Sequence, residues 1–170
     1  MESITLRQAS REDVPVIMEI MTAAHRAMAD PDAYITDSQD YVARHVSREG
    51  FILLSQVDQR IGGFFLVSIP GDGKDNLGHY LGFTRRQLME TAIMDSAAVR
   101  PEYQGRGLMG RMFREAVRRT EPRYTYLLGT VAPDNVPSLR NFEKCGFQEI
   151  RRVVKPQGQT RLLMGRFREN

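Results

Sequence analysis

Residues 97–110 read Ala97-Ala98-Val99-Arg100-Pro101-Glu102-Tyr103-Gln104-Gly105-Arg106-Gly107-Leu108-Met109-Gly110. The first three close an apolar strand predicted from Thr91 to Val99, which Arg100-Pro101 ends. A helix with one apolar side is predicted from Gly107 to Thr120. Between strand and helix, glycines let backbone N–H groups approach an anion closely, and the helix N-terminus adds free donors and partial positive charge. The stretch therefore predicts a phosphate-binding turn.

Two other interpretations of this turn stay open on the residues alone. It could be a tight loop that only packs a helix on a sheet. Gly105 to Gly110 also matches G-x-G-x-x-G, the dinucleotide fingerprint, which would indicate a nicotinamide-dependent oxidoreductase. That function is a remote alternative, because the strand ends five residues before Gly105 and too little chain follows for a dinucleotide fold. A Walker A motif is absent from the sequence.

Outward from this turn, apolar periodicity predicts the order β-α-α-β-β-loop-β-α-β-α-β-β. The middle strand-helix-strand segment implies a parallel pair, and the flanking hairpins imply antiparallel strands. We expect an α/β (α+β) fold with a mixed, mostly antiparallel sheet of six to seven strands and helices on both faces. The predicted strands are 4–7, 51–54, 61–69, 91–99, 124–131, 147–154 and 159–167, and the predicted helices are 10–28, 38–48, 84–90, 107–120 and 135–144.

Length and composition predict one domain over residues 1–170, with a turn-rich loop insertion near 70–88. The chain has 24 basic and 21 acidic residues, and a net charge of +3 is too small to indicate a nucleic-acid binder. Residues 100–123 hold seven arginines and three acidic residues, which places +4 beside the phosphate turn. With one cysteine, three scattered histidines and no long apolar run, we expect no metal, no membrane span and a cytoplasmic protein.

Residues 97–108 resemble the acyl-CoA-binding strand and loop of the GNAT acetyltransferase superfamily. The family signature (Q/R)-x-x-G-x-(G/A) is matched by Gln104 to Met109, although Met109 stands where Gly or Ala is usual. A second motif, Asn135 to Phe147, is similar to the N-x-x-A-x-x-L-Y-E-K-x-G-F helix of the family. The spacing of the two motifs and the element order agree with the same family. The resemblance implies that the parallel strands splay apart and that acetyl-CoA is the cosubstrate.

The resemblance also assigns cosubstrate-binding residues. It implies that the CoA pantetheine enters beside the predicted strand, paired with backbone groups of that strand, and that amides of the loop hold the pyrophosphate. Asn135 would reach the pantetheine, cap its helix, or do both. Phe142 stands where the family often has a proton-donating Tyr, so we expect it only to pack beside the thioester. The implied cosubstrate-binding residues are Ala97, Ala98, Val99, Gln104, Gly105, Arg106, Gly107, Leu108, Met109, Gly110, Asn135 and Phe142.

Asp95 is the candidate catalytic base or substrate anchor, because strand alternation places it on the face of Ala97 and Val99. Its alternative role is a buried, hydrogen-bonded structural carboxylate. Where some relatives carry Glu on the next strand, this chain offers only Thr130. Cys145 could supply a proton but more often such a residue fills the core.

The expected activity is N-acetyl transfer from acetyl-CoA to a primary amine of a small molecule or protein, by direct transfer in a ternary complex. A non-catalytic acyl-CoA-binding sensor is the alternative, because the usual Tyr is missing. The first helices and variable loops usually set acceptor specificity in this family, and a homodimer is possible. The resulting substrate-contact candidates are Tyr34, Asn76, His79 and Tyr80.

Overall fold

The computed structural model describes residues 2–29 and 36–169, which form seven strands and five α-helices. Three 3-10 turns cover Arg11–Asp13, Leu77–Leu81 and Pro101–Tyr103. Within the described residues, no helix has the length and apolar character to cross a membrane. The strands are β1 Ile4–Gln8, β2 Gly50–Val57, β3 Arg60–Ser68, β4 Thr91–Val99, β5 Tyr126–Val131, β6 Gln148–Val154 and β7 Thr160–Phe167, and the helices are α1 Val14–Arg26, α2 Gln39–His45, α3 Arg85–Met89, α4 Leu108–Thr120 and α5 Val136–Lys144.

The sheet is mixed and open, with the strand order β1-β2-β3-β4-β5-β7-β6. β1–β2, β2–β3, β5–β7 and β6–β7 pair antiparallel, and β4–β5 pair parallel. The expected fold class is thereby confirmed. Every predicted strand and helix is present, with ends shifted by one to three residues in most cases.

The described chain divides into two compact units. The first unit comprises the chain up to Ser68 together with Ser96–Phe113. The apolar stripe of α1 and α2 packs on one face of its strands, where Ile52, Leu54, Phe64 and Leu66 are buried. Phe65 points to the opposite face because side chains alternate along β3, and there it meets Phe113 of α4, with ring centroids 5.1 Å apart. Helices therefore cover both faces of this unit.

The second unit comprises Ile69–Asp95 and Arg114–Asn170. Its core gathers Leu77, Ile93, Leu128, Val153 and Leu163, so the 70–88 segment covers one face of β4, β5, β7 and β6. This segment is therefore more than the exposed loop that its glycines indicate.

The end of α1 differs from the prediction. The stripe is predicted to run to Met28 and to stop at residues 30–32, but the helix ends at Arg26 with Ala27 as its C-cap. Residues 30–35 lie outside the described part of the chain. Whether residues 1–170 form a single domain stays a prediction.

Candidate functional site

The phosphate turn adopts a conformation that requires glycine. Gly105 has φ of 82° and Gly107 has φ of 79°, in the left-handed region that side chains disfavour. Both glycines are exposed, and a Cβ at either would meet nothing within 4 Å. Packing therefore does not explain them; their backbone conformation does.

Helix α4 begins directly after this turn. The amide of Arg111 donates to the carbonyl of Gly107 over 3.1 Å, which is the first hydrogen bond of the helix. Amides that precede the first intrahelical bond have no acceptor within the helix, and an anion at the N-terminus can accept from them. The amides in this position are those of Leu108, Met109 and Gly110.

The side chain of Arg106 is turned toward protein groups. Its guanidinium lies 5.0 Å from the centre of the Tyr103 ring and forms an ion pair with Glu2. Arg60 stacks on the same ring at 5.8 Å and pairs with Glu102 at 3.2 Å. The cluster supports the turn, and the sequence offers no signal for it because its members come from distant segments.

Several of the arginines in residues 100–123 bind protein groups and are not available to a phosphate. Arg100 is 6% exposed and donates to Glu19 Oε1 and to the carbonyl of Ile61, each over 2.8 Å. Arg118 and Arg119 both pair with Glu115. Arg111 is exposed, and among described residues no carboxylate lies within ion-pair distance of it. Arg100 is therefore a buried structural residue, and Arg118 and Arg119 belong to an ion-paired surface of α4.

At its carboxyl end, β4 turns one edge toward β3, and its other edge lies outside this pairing. The carbonyl of Ala98 faces β3, since it lies 2.9 Å from where a Cβ of Gly63 would stand. The Arg100 amide also faces β3 and donates to Gly62 over 2.8 Å. Because backbone groups alternate along a strand, those of Ala97 and Val99 point to the other edge. Gln104 approaches the Val99 carbonyl from there, with Nε2 at 3.5 Å.

In the second unit, the parallel ladder is short. It runs from Thr91↔Tyr126 to Met94↔Gly129, whereas β4 continues to Val99 and β5 to Val131. The β4–β5 pair thus loses its regular pairing before either strand ends, as the expected splay requires.

Phe142 of α5 packs where this ladder ends. A Cβ on Gly129 would lie 2.5 Å from Cε1 and 2.6 Å from Cζ of its ring, so the ring sits against the bare backbone of β5. Phe142 is 4% exposed and also packs edge-on against Phe147, with centroids 5.3 Å apart. A glycine inside an apolar strand is the sequence signal for such a close approach, and it identifies Gly129 as a site residue that the motif comparison missed.

Asp95 is the first β4 residue beyond the ladder, and it is exposed. The alternative in which it is a buried structural carboxylate is therefore wrong. Thr130 follows the ladder on β5 and is half-buried.

Asn135 is exposed and serves as the N-cap of α5, because its Oδ1 accepts from the amide of Ser138 over 3.2 Å. The capping role that its position before Pro137 indicates is confirmed. A second role toward a ligand stays a prediction.

The four substrate-contact candidates have different positions. Tyr34 lies outside the described residues. Asn76 is 1% exposed and its amide is bonded to backbone groups, so it is a supporting residue and not a contact residue. His79 is exposed, with Nε2 3.0 Å from the carbonyl of Gly73. Tyr80 is half-buried on the sheet.

Cys145 is 9% exposed, and burial raises the pKa of its thiol although Arg114 and Arg166 act to lower it. Among described residues, no group of three or more His, Cys, Asp or Glu side chains is arranged to hold a metal ion.

A family comparison and a comparison with solved structures both relate this chain to acetyltransferases. The Acetyltransferase (GNAT) domain matches residues 3–148. The aminoglycoside acetyltransferase AAC(6')-Ib, in complex with coenzyme A and kanamycin, is 18% identical with a TM-score of 0.73, over 98% of this chain and 95% of that one. The ribosomal-protein-S18-alanine N-acetyltransferase from Escherichia coli is 16% identical with a TM-score of 0.71, over 96% and 92%.

The protein yncA from Salmonella typhimurium, solved with its cofactor acetyl-CoA, is 20% identical with a TM-score of 0.72, over 99% of this chain and 95% of that one. No curated protein sequence matches this chain closely enough to count as a relative. The structural likenesses establish a shared fold, and the domain match covers most of the sequence. The chain therefore belongs to the GNAT acetyltransferase family.

Proposed function

We propose that this protein transfers an acetyl group from acetyl-CoA to a primary amine of a small molecule or protein, by direct transfer in a ternary complex. The glycine turn before α4 carries the proposal, because its conformation has no packing cause and exposes the amides that an anion needs. The family membership supports it as well.

Each group has a role toward acetyl-CoA that the family resemblance implies and that its own chemistry allows. The edge groups of Ala97 and Val99 would pair with the pantetheine, and the amides after Gly107 would hold the pyrophosphate. Asn135 would reach the pantetheine amide while it caps α5. Phe142 would pack beside the thioester without donating a proton.

Asp95 is the proposed base or anchor for the acceptor amine. Asp95 follows the last parallel pair and is exposed, so its carboxylate is accessible to an acceptor amine. Attack on a thioester requires a neutral amine, and a carboxylate can take the proton directly or through water. Asp95→Asn should lower kcat/KM by about a hundredfold at neutral pH. An Asp95→Asn variant with unchanged kcat/KM across the pH range would contradict this role.

Two measurements on the full chain test the function. Acetyl-CoA at about a hundred times its Kd should stabilise the protein by about 2.7 kcal/mol in thermal unfolding, and NAD should not. Free thiol release should appear when a panel of primary amines is added. Tight CoA binding without turnover on any amine would favour an acyl-CoA sensor, and stabilisation by NAD alone would favour an oxidoreductase.

A further inference from the structure

One buried side chain ties the segment between β3 and β4 together. Asn76 Nδ2 donates to the carbonyl of Gly71 over 2.7 Å and to that of Leu88 over 3.1 Å. Its Oδ1 accepts from the amide of Gly78 over 2.8 Å. The Asn76 amide thus joins both ends of the segment and starts the 3-10 turn Leu77–Leu81.

This turn places Tyr80 on the sheet. Tyr80 packs against the buried cluster that contains Ile93 of β4 and Leu128 of β5. Arg151 of β6 also holds this turn, since its Nη1 donates to the Tyr80 carbonyl over 2.9 Å. Arg151 therefore holds the Tyr80 carbonyl directly, and Asn76 holds the start of the turn that carries Tyr80.

The face under Tyr80 also carries the polar residues at the end of the ladder. Side chains alternate along a strand, so Asp95 shares the face of Ile93, and Thr130 shares the face of Leu128. Both follow directly after the last parallel pair. Tyr80, Asp95 and Thr130 thus lie on one face of the sheet, and Asp95 and Thr130 directly follow the end of the parallel ladder.

Phe142 lies on the opposite face, because it packs on Gly129, the neighbour of both Leu128 and Thr130. If the thioester lies beside Phe142, an attacking amine comes from the face of Asp95.

We infer that Tyr80 is a specificity-determining residue for the acceptor, and that Asn76 and Arg151 are positioning residues that hold it. The inference rests on the proposed function. The Asp95 carboxylate attracts the acceptor as a primary ammonium, before the ammonium loses its proton, and the Tyr80 ring on the same face of the sheet can attract the same cation. The acceptor class is a cationic primary amine whose carbon skeleton contacts the Tyr80 ring.

Steady-state kinetics of the full chain with a panel of primary amines tests this inference. Tyr80→Ala should raise the KM for the acceptor by about tenfold and change the order of preferred amines, with the KM for acetyl-CoA unchanged. Tyr80→Leu keeps apolar packing on Ile93 and Leu128 and gives the same test if the alanine variant unfolds. Tyr124→Ala, a half-buried tyrosine before β5, is the matched control.

Asn76→Asp should reproduce part of the acceptor effect, because it keeps the bond from Gly78 but loses both donated bonds. The inference is overturned if Tyr80→Ala and Tyr80→Leu leave the acceptor KM and the order of amines as in the Tyr124→Ala control. It is also overturned if the KM for acetyl-CoA rises equally. These outcomes leave the proposed function standing, whereas failure of the unmodified protein to acetylate any amine removes both.

Discussion

Phe142 and Gly129 fit each other so closely that either residue restricts what can replace the other. The ring occupies the space that a Cβ at position 129 would need. Phenylalanine cannot protonate a leaving thiolate, which makes this site chemically different from one that carries Tyr. A CoA thiolate has a pKa of about 8.5, near that of a cysteine thiol, so solvent can supply the proton at some cost in rate.

Phe142→Tyr should therefore increase kcat by about tenfold, because it adds a proton donor where the resemblance predicts the thioester. The phenol oxygen is added at Cζ, a ring atom that packs against Gly129, so the unfolding free energy of the variant is measured together with kcat. The measurement is kcat with saturating acetyl-CoA and one amine, and Phe147→Tyr, on the neighbouring ring, is the control. A Phe142→Tyr variant with unchanged kcat and unchanged stability would contradict a rate limited by proton supply.

At the scale of single elements, the turn before α4 depends on backbone conformation. Gly105→Ala and Gly107→Ala should each cost about 1–2 kcal/mol of unfolding free energy, because φ lies in the left-handed region. They should also weaken CoA binding by about tenfold, since the turn relieves this strain by moving its amides. Isothermal titration with CoA and urea unfolding give the two quantities.

Gly158 of the β6–β7 turn provides the matched control for this experiment. It has φ of 90°, and a Cβ there also meets nothing within 4 Å. Gly158→Ala should lose similar stability with no change in CoA affinity. If Gly105→Ala and Gly107→Ala bound CoA as tightly as Gly158→Ala and the unmodified protein do, the turn would not bind the phosphates.

The start of α1 contains a pH-sensitive contact. The Asp13 carboxylate accepts from Arg7 Nη1 and Nη2 and from the amide of Ser10, each over 2.8 Å. The hydrogen bonds from Arg7, with that from Ser10, lower the pKa of Asp13 from 3.8 to about 2. A lowered folded-state pKa stabilises the protein above the unfolded pKa, and the stabilisation is lost as the pH falls toward 2.

Asp13→Asn should lower the unfolding free energy by about 2 kcal/mol at pH 7 and by much less near pH 2. Urea unfolding at both pH values measures the difference. Glu115, whose pKa is lowered to about 2 by hydrogen bonds from Arg118 and Arg119, keeps part of the acid sensitivity in the variant. Glu143→Gln, at an exposed position on α5, is the control. A stability loss that is equal at both pH values would contradict the pKa argument.

At the scale of the whole molecule, local chemistry decides what the sequence can predict. β4 is predicted residue for residue because apolar side chains stop at Arg100-Pro101. The glycine turn is predicted because glycine is the residue that most readily adopts a positive φ, so a cluster of glycines indicates a turn. Asn76 and Arg100 are misread because long-range partners decide their burial: Leu88 lies twelve residues from Asn76, and Glu19 is 81 residues from Arg100. No short window of sequence contains these pairs.

Direct transfer requires that no nucleophilic side chain anywhere in the chain carries the acetyl group during turnover. The sequence has one cysteine, Cys145, so a thioester intermediate could form only there. Burial raises the pKa of this thiol, and a neutral thiol is a poor nucleophile. Cys145→Ser should therefore keep kcat/KM within about twofold, because no bond to sulfur forms during turnover.

Initial rates measured at several concentrations of both substrates complete this test. Direct transfer predicts double-reciprocal lines that intersect for the unmodified protein and for Cys145→Ser alike, because both substrates must be bound before the acetyl group moves. An acetyl-cysteine intermediate predicts parallel lines, together with loss of turnover in the serine variant. Cys145→Ala separates a packing effect from a chemical one, since it removes the polar atom and leaves a small cavity. If both variants lost activity while both still bound CoA and unfolded cooperatively, direct transfer would be wrong for this chain.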